Sequence, residues 1–237
     1  MSKIAVILIA TGKQEFLSFV PPLIESLRKF FPPCDPVLFT DSKAPYDARV
    51  VEYPHLGWPR AGMMRYHAIS SQADWLAGYD YLMHIDIDMR VVAPILEEEF
   101  CAKGITAVLH PGVERNYIPS GEGANVETRR ESTAFLQSHR FYYQGCFQGG
   151  SAPEYLAVCK ILARNIDIDD GRGIVAKWQD ESHWNCYLEH NPPAIALSPA
   201  YAFPPNRIYW RAPHIWHTPD FVPKIIHIEK DNPKAHQ

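Results

Sequence analysis

Two acids one residue apart, Asp86 and Asp88, close the apolar run Tyr81-Leu82-Met83-His84-Ile85. The run is short, apolar and flanked by polar residues, so it reads as a buried strand. Alternation along a strand would turn Asp86 and Asp88 to one side. Two carboxylates facing alike repel unless a positive charge lies between them. A hard divalent cation that also grips a substrate diphosphate would meet that need. The residues alone leave a second reading open, a pair of solvated turn acids.

The second stretch with chemical potential is Trp178-Gln179-Asp180-Glu181-Ser182-His183-Trp184-Asn185. Adjacent acids suit the first turn of a helix, where the backbone dipole favours negative charge. That role accounts for Asp180 and leaves Glu181 as a candidate for chemistry. A third, Tyr142-Tyr143-Gln144-Gly145-Cys146-Phe147-Gln148-Gly149-Gly150, is dense in glycine and aromatic residues. It reads either as a sugar-admitting surface or as a kinked strand packed on a neighbour. Arg65 and His110 are single residues with ordinary surface and structural explanations. Lys230 and Lys234 are either solvated or close over a phosphate.

The elements that must place these residues follow from periodicity. Lys3 to Ala10 is a continuous apolar, β-branched run, expected as a central strand buried on both faces. Thr11-Gly12-Lys13 turns the chain, with Gly12 permitting a tight bend beside a ligand. Leu23, Ile24, Leu27, Phe30 and Phe31 recur at helical spacing between Pro21-Pro22 and Pro32-Pro33. Asp35 to Asp41 then reads as a second strand, giving strand–helix–strand and a parallel sheet. Further expected strands are Arg49 to Glu52, Ala107 to Leu109, Ile195 to Ser198 and Lys224 to Ile228. Arg60 to Leu76 is expected as one helix. Tyr155, Cys159, Leu162 and Ile166 mark another, opened by a Ser151-x-x-Glu154 capping box. Glu114 to Arg140 is polar and poorly periodic, and reads as a long functional or mobile loop.

Composition bounds the rest. A chain of 237 residues suits one large domain, expected over 1–237, with a nucleotide-binding half to about residue 90 and an acceptor and catalytic half beyond it. With 46% hydrophobic and 21% charged residues it reads as globular. A net charge of −4 and the lack of a basic tract argue against a nucleic-acid partner. Five cysteines without Cys-x-x-Cys spacing read as reduced thiols in a cytoplasmic protein. The first apolar run is too short to span a bilayer, and no leader peptide is read before it, so a soluble protein without a transmembrane segment is expected.

Taken in order, Phe39-Thr40-Asp41, Met64-Arg65, Asp80-Tyr81-Leu82 through Asp86-x-Asp88-Met89, His110-Pro111-Gly112, Tyr142-Tyr143 with Gly149-Gly150, Trp178-x-Asp180-Glu181-Ser182-His183-x-Asn185-x-Tyr187-Leu188, and Leu197-Ser198-Pro199-x-Tyr201 resemble glycosyltransferase family 6. The Trp-x-Asp-Glu-Ser-His block is specific; Asp-x-Asp alone is not. The resemblance implies an α/β GT-A fold, Rossmann-like, with a mainly parallel central sheet. It implies a retaining transfer of galactose or N-acetylgalactosamine from UDP-Gal or UDP-GalNAc to an oligosaccharide or other glycan acceptor, in α-1,3 linkage. It makes Asp86 and Asp88 ligands of Mn²⁺, with Mg²⁺ as the alternative, on the UDP diphosphate. Arg65 becomes a donor-site arginine, and Ala10, Thr11 and Phe16 cover the uridine-contacting turn. Gln144 and Cys146 fall at donor-selecting positions, and Asp180 contacts the donor sugar. Glu181 matches the proposed nucleophile. His110 and Trp178 match acceptor contacts, and Lys230 a C-terminal lysine on the diphosphate. Some bacterial family members replace both metal-binding acids by asparagine, whereas this chain keeps them. Cys146 stands where a small glycine or alanine is usual. The competing reading is a non-catalytic nucleotide-sugar or glycan-binding module. A nucleotidyltransferase lacks its glycine-rich basic loop here, and a phosphatase of the Asp-x-Asp-x-Thr type is excluded by Arg90.

Overall fold

The computed structural model describes residues 1–113, 126–203 and 222–228. Its centre is β1 (Ile4–Ile9), flanked by the parallel strands β2 (Asp35–Thr40) and β4 (Tyr81–Ile85). The outer strand β3 (Arg49–Glu52) runs parallel to β2. On the far side of β4 come β7 (Tyr143–Ser151), β6 (Ile105–Leu109) and β8 (Ile195–Leu197). The sheet order is β3-β2-β1-β4-β7-β6-β8, and β7 is antiparallel to both its neighbours. This is the mainly parallel α/β sheet expected of a GT-A-type transferase. A separate antiparallel ribbon joins β5 (Met89–Val91) to β9 (Ile225–His227).

The β-branched run of β1 is buried on both faces, and its alternation divides the core. Ile4, Val6 and Leu8 pack with Leu38, Met83 and Phe147 under α2 (Val20–Phe30). Ala5 and Ile7 pack with Val37, Leu82 and Tyr155 on the opposite side. That second layer is roofed by α4 (Arg65–Ser70), α6 (Ala152–Gly171) and α7 (Gln179–His190). Truncating a residue such as Leu8, which has no exposed surface, would cost ~2–5 kcal/mol through lost burial and an unfilled cavity.

Three local expectations are corrected. Arg60 to Leu76 is not one helix but three short ones: α3 (Arg60–Met63), α4 and α5 (Ala73–Leu76). The break at Met64, which leaves helical geometry (φ −89°, ψ 13°), lets α4 start with Arg65 inside the molecule. The Ser151–Glu154 capping box does not form, and Ser151 Oγ is buried without a hydrogen-bond partner. The Ser151 N–H that Glu154 would accept is instead donated to Gly104 O at 3.0 Å. The strand is Tyr81–Ile85 as expected, but alternation does not orient Asp86 and Asp88, because they occupy the turn between β4 and β5, closed by a Met89 N to Asp86 O hydrogen bond of 3.2 Å.

The glycine-rich stretch is a strand with an irregular register opposite Ala107 and Val108, so the kinked-strand reading holds for its backbone. Gly149 has a packing reason: a Cβ there would lie 2.2 Å from Leu82 O across the β4–β7 pair. Among the described residues, no helix is long and apolar enough to cross a membrane.

Candidate active site

Chain direction places the site. From β1 the chain builds outward to β2 and β3, then crosses back to lay β4 on the other side of β1. The loops leaving β1 and β4 therefore diverge and open a crevice at the carboxyl ends of the two strands, where open α/β sheets bind ligands. Ala10, Thr11, Asp86 and Asp88 line a cavity of ≈ 340 Å³ there, together with Phe16 from α1 (Gln14–Ser18). Gly12 (φ +80°) makes the turn after β1 and donates its N–H to Asp41 Oδ1 at 3.0 Å. A Cβ on Gly12 would meet the His55 ring at 2.4 Å, so the turn lies flat against that imidazole.

A second cavity of ≈ 220 Å³ adjoins the first through Arg65, Gly62, Trp58 and Asp86. Its walls include Gln144 and Cys146 from β7 and Trp178, Asp180 and Glu181 from the start of α7. The structure thus brings eleven of the sequence-expected site residues to two connected cavities. His110 lies outside both walls, with its ring edge-on to Tyr142 at 5.6 Å and Nδ1 accepting from Gly112 N at 3.0 Å. Lys230 lies outside the described residues.

Arg65 joins the cavities. Its side chain is only 11% exposed, with Nη1 3.2 Å from Asp86 Oδ1 and Nε 2.5 Å from Asp180 Oδ2. Nη1 also donates to Gly145 O at 2.7 Å. Burial opposes its charge, but Asp180 and Asp86 together outweigh that and push its pKa upward. At Asp86 burial also acts against charge, and it is outweighed by Arg65 and by His84, whose Nε2 lies 2.9 Å away. Asp86 is held below the ordinary carboxylate range and stays ionised.

Asp180 and Glu181 behave in the opposite way. Burial lifts Asp180 to about 6 against the opposing pull of Arg65. Burial lifts Glu181 to about 7, against the pull of its hydrogen bonds. Those bonds fix its position: Gly145 N donates to Oε2 at 2.8 Å and Tyr142 OH donates to Oε1 at 2.9 Å.

The rest of the Trp-x-Asp-Glu-Ser-His-x-Asn block explains why Glu181 faces β7. Asn185, one helical turn on, accepts from Tyr143 N at 2.7 Å and donates to Tyr143 O at 2.8 Å, clamping α7 to the strand. Ser182 Oγ accepts from Trp178 N at 2.9 Å and ties the exposed tryptophan to the first turn. Gln179 between them has φ +45°, unusual for a residue with a side chain, at the point where the chain enters the helix. Two connections were not anticipated. His84 precedes Asp86 by two, a spacing that alternation could have exposed. Tyr142 on Glu181 had no local signal, because the two meet only across the β7–α7 interface.

The donor set at Asp86 and Asp88 fits a hard divalent cation: oxygen ligands, one of them held ionised, on one cavity wall. Among the described residues no group of three or more His, Cys, Asp or Glu side chains is gathered for a metal. Two carboxylates would leave the remaining coordination positions to diphosphate oxygens and water.

The sequence model described as Glycosyltransferase family 6 matches residues 50–215, which span both cavities' β4, β7 and α7 residues. The chain belongs to glycosyltransferase family 6. It is similar to rat histo-blood group ABO system transferase 2, with 32% identity over 76% of this chain and 51% of that protein. Human globoside alpha-1,3-N-acetylgalactosaminyltransferase 1 is 30% identical over 84% of this chain and 60% of its own length. The O-antigen biosynthesis glycosyltransferase WbnI of Escherichia coli is 26% identical over 70% of this chain and 73% of its own. The chain spans about half the length of the ABO relatives it matches. Family membership accounts for the motif order along the chain, and the geometry above is this chain's own.

Proposed function

We propose that this family 6 chain is a glycosyltransferase that moves galactose or N-acetylgalactosamine from a UDP-sugar to a glycan hydroxyl with retention at the anomeric carbon, in α-1,3 linkage, acting as one catalytic domain. The observation that carries the reading is a glutamate held by Gly145 N–H and Tyr142 OH in a cavity that shares Arg65 and Asp86 with the crevice at the sheet's switch point. The names of its relatives, transferases of blood-group, globoside and O-antigen glycans, point the same way.

In this reading the uridine lies along Ala10, Thr11 and Phe16. Asp86 and Asp88 would hold Mn²⁺ or Mg²⁺ against the diphosphate, and the bound ion supplies positive charge opposite the UDP leaving group. Arg65 keeps Asp86 ionised and adds its own charge to that side. Glu181 sits beneath the sugar's C1. As the bond from C1 to the UDP oxygen breaks, charge grows on the ring as in retaining glycoside cleavage. Glu181 either forms a transient ester at C1 or stabilises that charge while the acceptor oxygen bonds from the departing face. Its Tyr142 and Gly145 donors hold both oxygens in register for either route. Asp180 orients the sugar, and Trp178 offers an aromatic face to the acceptor, with His110 beyond Tyr142.

The test is UDP release from a panel of UDP-sugars with Mn²⁺ and no acceptor. Slow hydrolysis of UDP-galactose or UDP-N-acetylgalactosamine is expected. Tight binding with no turnover of any donor, and none on adding glycan acceptors, would leave a binding module instead.

A further inference from the structure

The short strand β9 brings one side chain from far along the chain against a wall residue of the second cavity. His227 Nε2 lies 2.9 Å from Gln144 Nε2, across 83 residues of sequence. The same strand pairs Met89 with His227, and Ile228 N donates to Asp88 O at 2.7 Å. The end of β9 and the residue after it are therefore tied both to the Asp86–Asp88 turn and to a wall of the second cavity.

Gln144 is a wall residue of that cavity. A glutamine amide has a donor end and an acceptor end of nearly the same shape, and the partner that takes one end decides which remains. Here the amide N–H₂ donates to the ring nitrogen of His227. The other end, Oε1, is buried and has no hydrogen-bond partner among the described residues. A buried carbonyl without a partner is costly, and a ligand O–H or N–H brought to it relieves that cost. A hydroxyl and an acetamido group at the sugar's C2 would present different donors at different reach.

We infer that His227 is a positioning residue for donor choice: it fixes the orientation of Gln144 and thereby the hydrogen-bonding end offered to the sugar. The inference rests on the UDP-sugar reading above and deepens it. It also assigns the C-terminal ribbon a role in selectivity as well as in holding the acidic turn. A merely structural histidine would anchor β9 and affect every donor alike.

The experiment is a double-mutant cycle read as a donor ratio, kcat/KM for UDP-galactose over that for UDP-N-acetylgalactosamine, with unfolding midpoints recorded for each variant. His227→Ala is expected to shift the ratio about fivefold, within what one hydrogen bond supports. His227→Gln, which restores an acceptor, should return it most of the way. In a Gln144→Leu background, His227→Ala should leave the ratio unchanged, because the coupling runs through the amide. If His227→Ala fails to fold, His227→Phe keeps a ring suited to a strand, removes the acceptor and carries the same expectation. Equal loss with both donors, or a ratio shift that persists without Gln144, overturns the inference and leaves the transferase reading standing. A wild-type protein that turns over neither donor overturns both.

Discussion

The acidic turn after β4 and the first turn of α7 each present two carboxylates to the same crevice, yet their environments act in opposite directions. Asp86 is held ionised, with Arg65 at 3.2 Å and His84 at 2.9 Å overcoming its burial. Glu181 is lifted to about 7 by burial, and its nearest partners are neutral donors, Gly145 N–H and Tyr142 OH. One region holds its carboxylate charged; the other brings the ionisation of its carboxylate close to neutrality. Environments that drive similar groups apart mark different chemical roles. Arg65 touches both regions, through Asp86 and Asp180, and is what makes them one site.

Removing that link should have the largest effect. Arg65→Met leaves Asp180 buried and unpaired, so a loss of about 3–5 kcal/mol of stability is expected together with loss of transfer. Thermal unfolding and UDP release read the two losses; full activity would show that the regions do not need joining. Next is Glu181→Gln, which keeps shape and burial. Transfer should fall at least about a hundredfold. UDP affinity, read by calorimetry, should change little, because the nucleotide crevice is untouched; near-normal transfer would remove Glu181 from the chemistry. Chelation probes the other region: EDTA should abolish turnover and added Mn²⁺ restore it. Turnover indifferent to metal would make Asp86 and Asp88 structural.

The smallest and most discriminating effect is in pH. If Glu181 acts as a carboxylate, kcat/KM should rise with pH to a plateau above about 7 and fall roughly tenfold per unit below it. The linkage sign agrees. Its folded-state pKa is raised from 4.5 to about 7, so its contribution to stability is present below 4.5 and lost as pH rises through about 7. The protein gives up stability over the range in which the group becomes active. Glu181→Gln should abolish that stability slope, and a limb near 4 in the wild-type activity profile would place the essential ionisation elsewhere.

Much of this architecture was legible from periodicity. β1 reads as a strand because seven apolar residues in sequence can be buried only between two layers. α2 and α6 follow from helical spacing with proline at their starts. The segment from Arg60 to Leu76 was misjudged because its apolar spacing continues through Met64 while the backbone does not. The capping box failed because a local pattern of Ser and Glu cannot show that the Ser151 N–H is taken by Gly104 O from another part of the chain. The contacts of His227 with Gln144 and of Tyr142 with Glu181 were not legible, since each joins residues far apart in sequence.

By itself, the amino-acid order determined the strand that ends in Asp86-x-Asp88, the motif block that contains Glu181, and the family to which both belong. These depend on neighbours along the chain, where period and residue type carry the information. Only the tertiary structure decided that Arg65 would lie between Asp86 and Asp180, that Tyr142 and Gly145 would hold Glu181, and that His227 would reach Gln144. Those contacts join residues 21 to 115 positions apart, and each was set by which faces the sheet and helices bury against one another. The charge state of each carboxylate follows from that packing, because desolvation and partner distance exist only once the chain has folded.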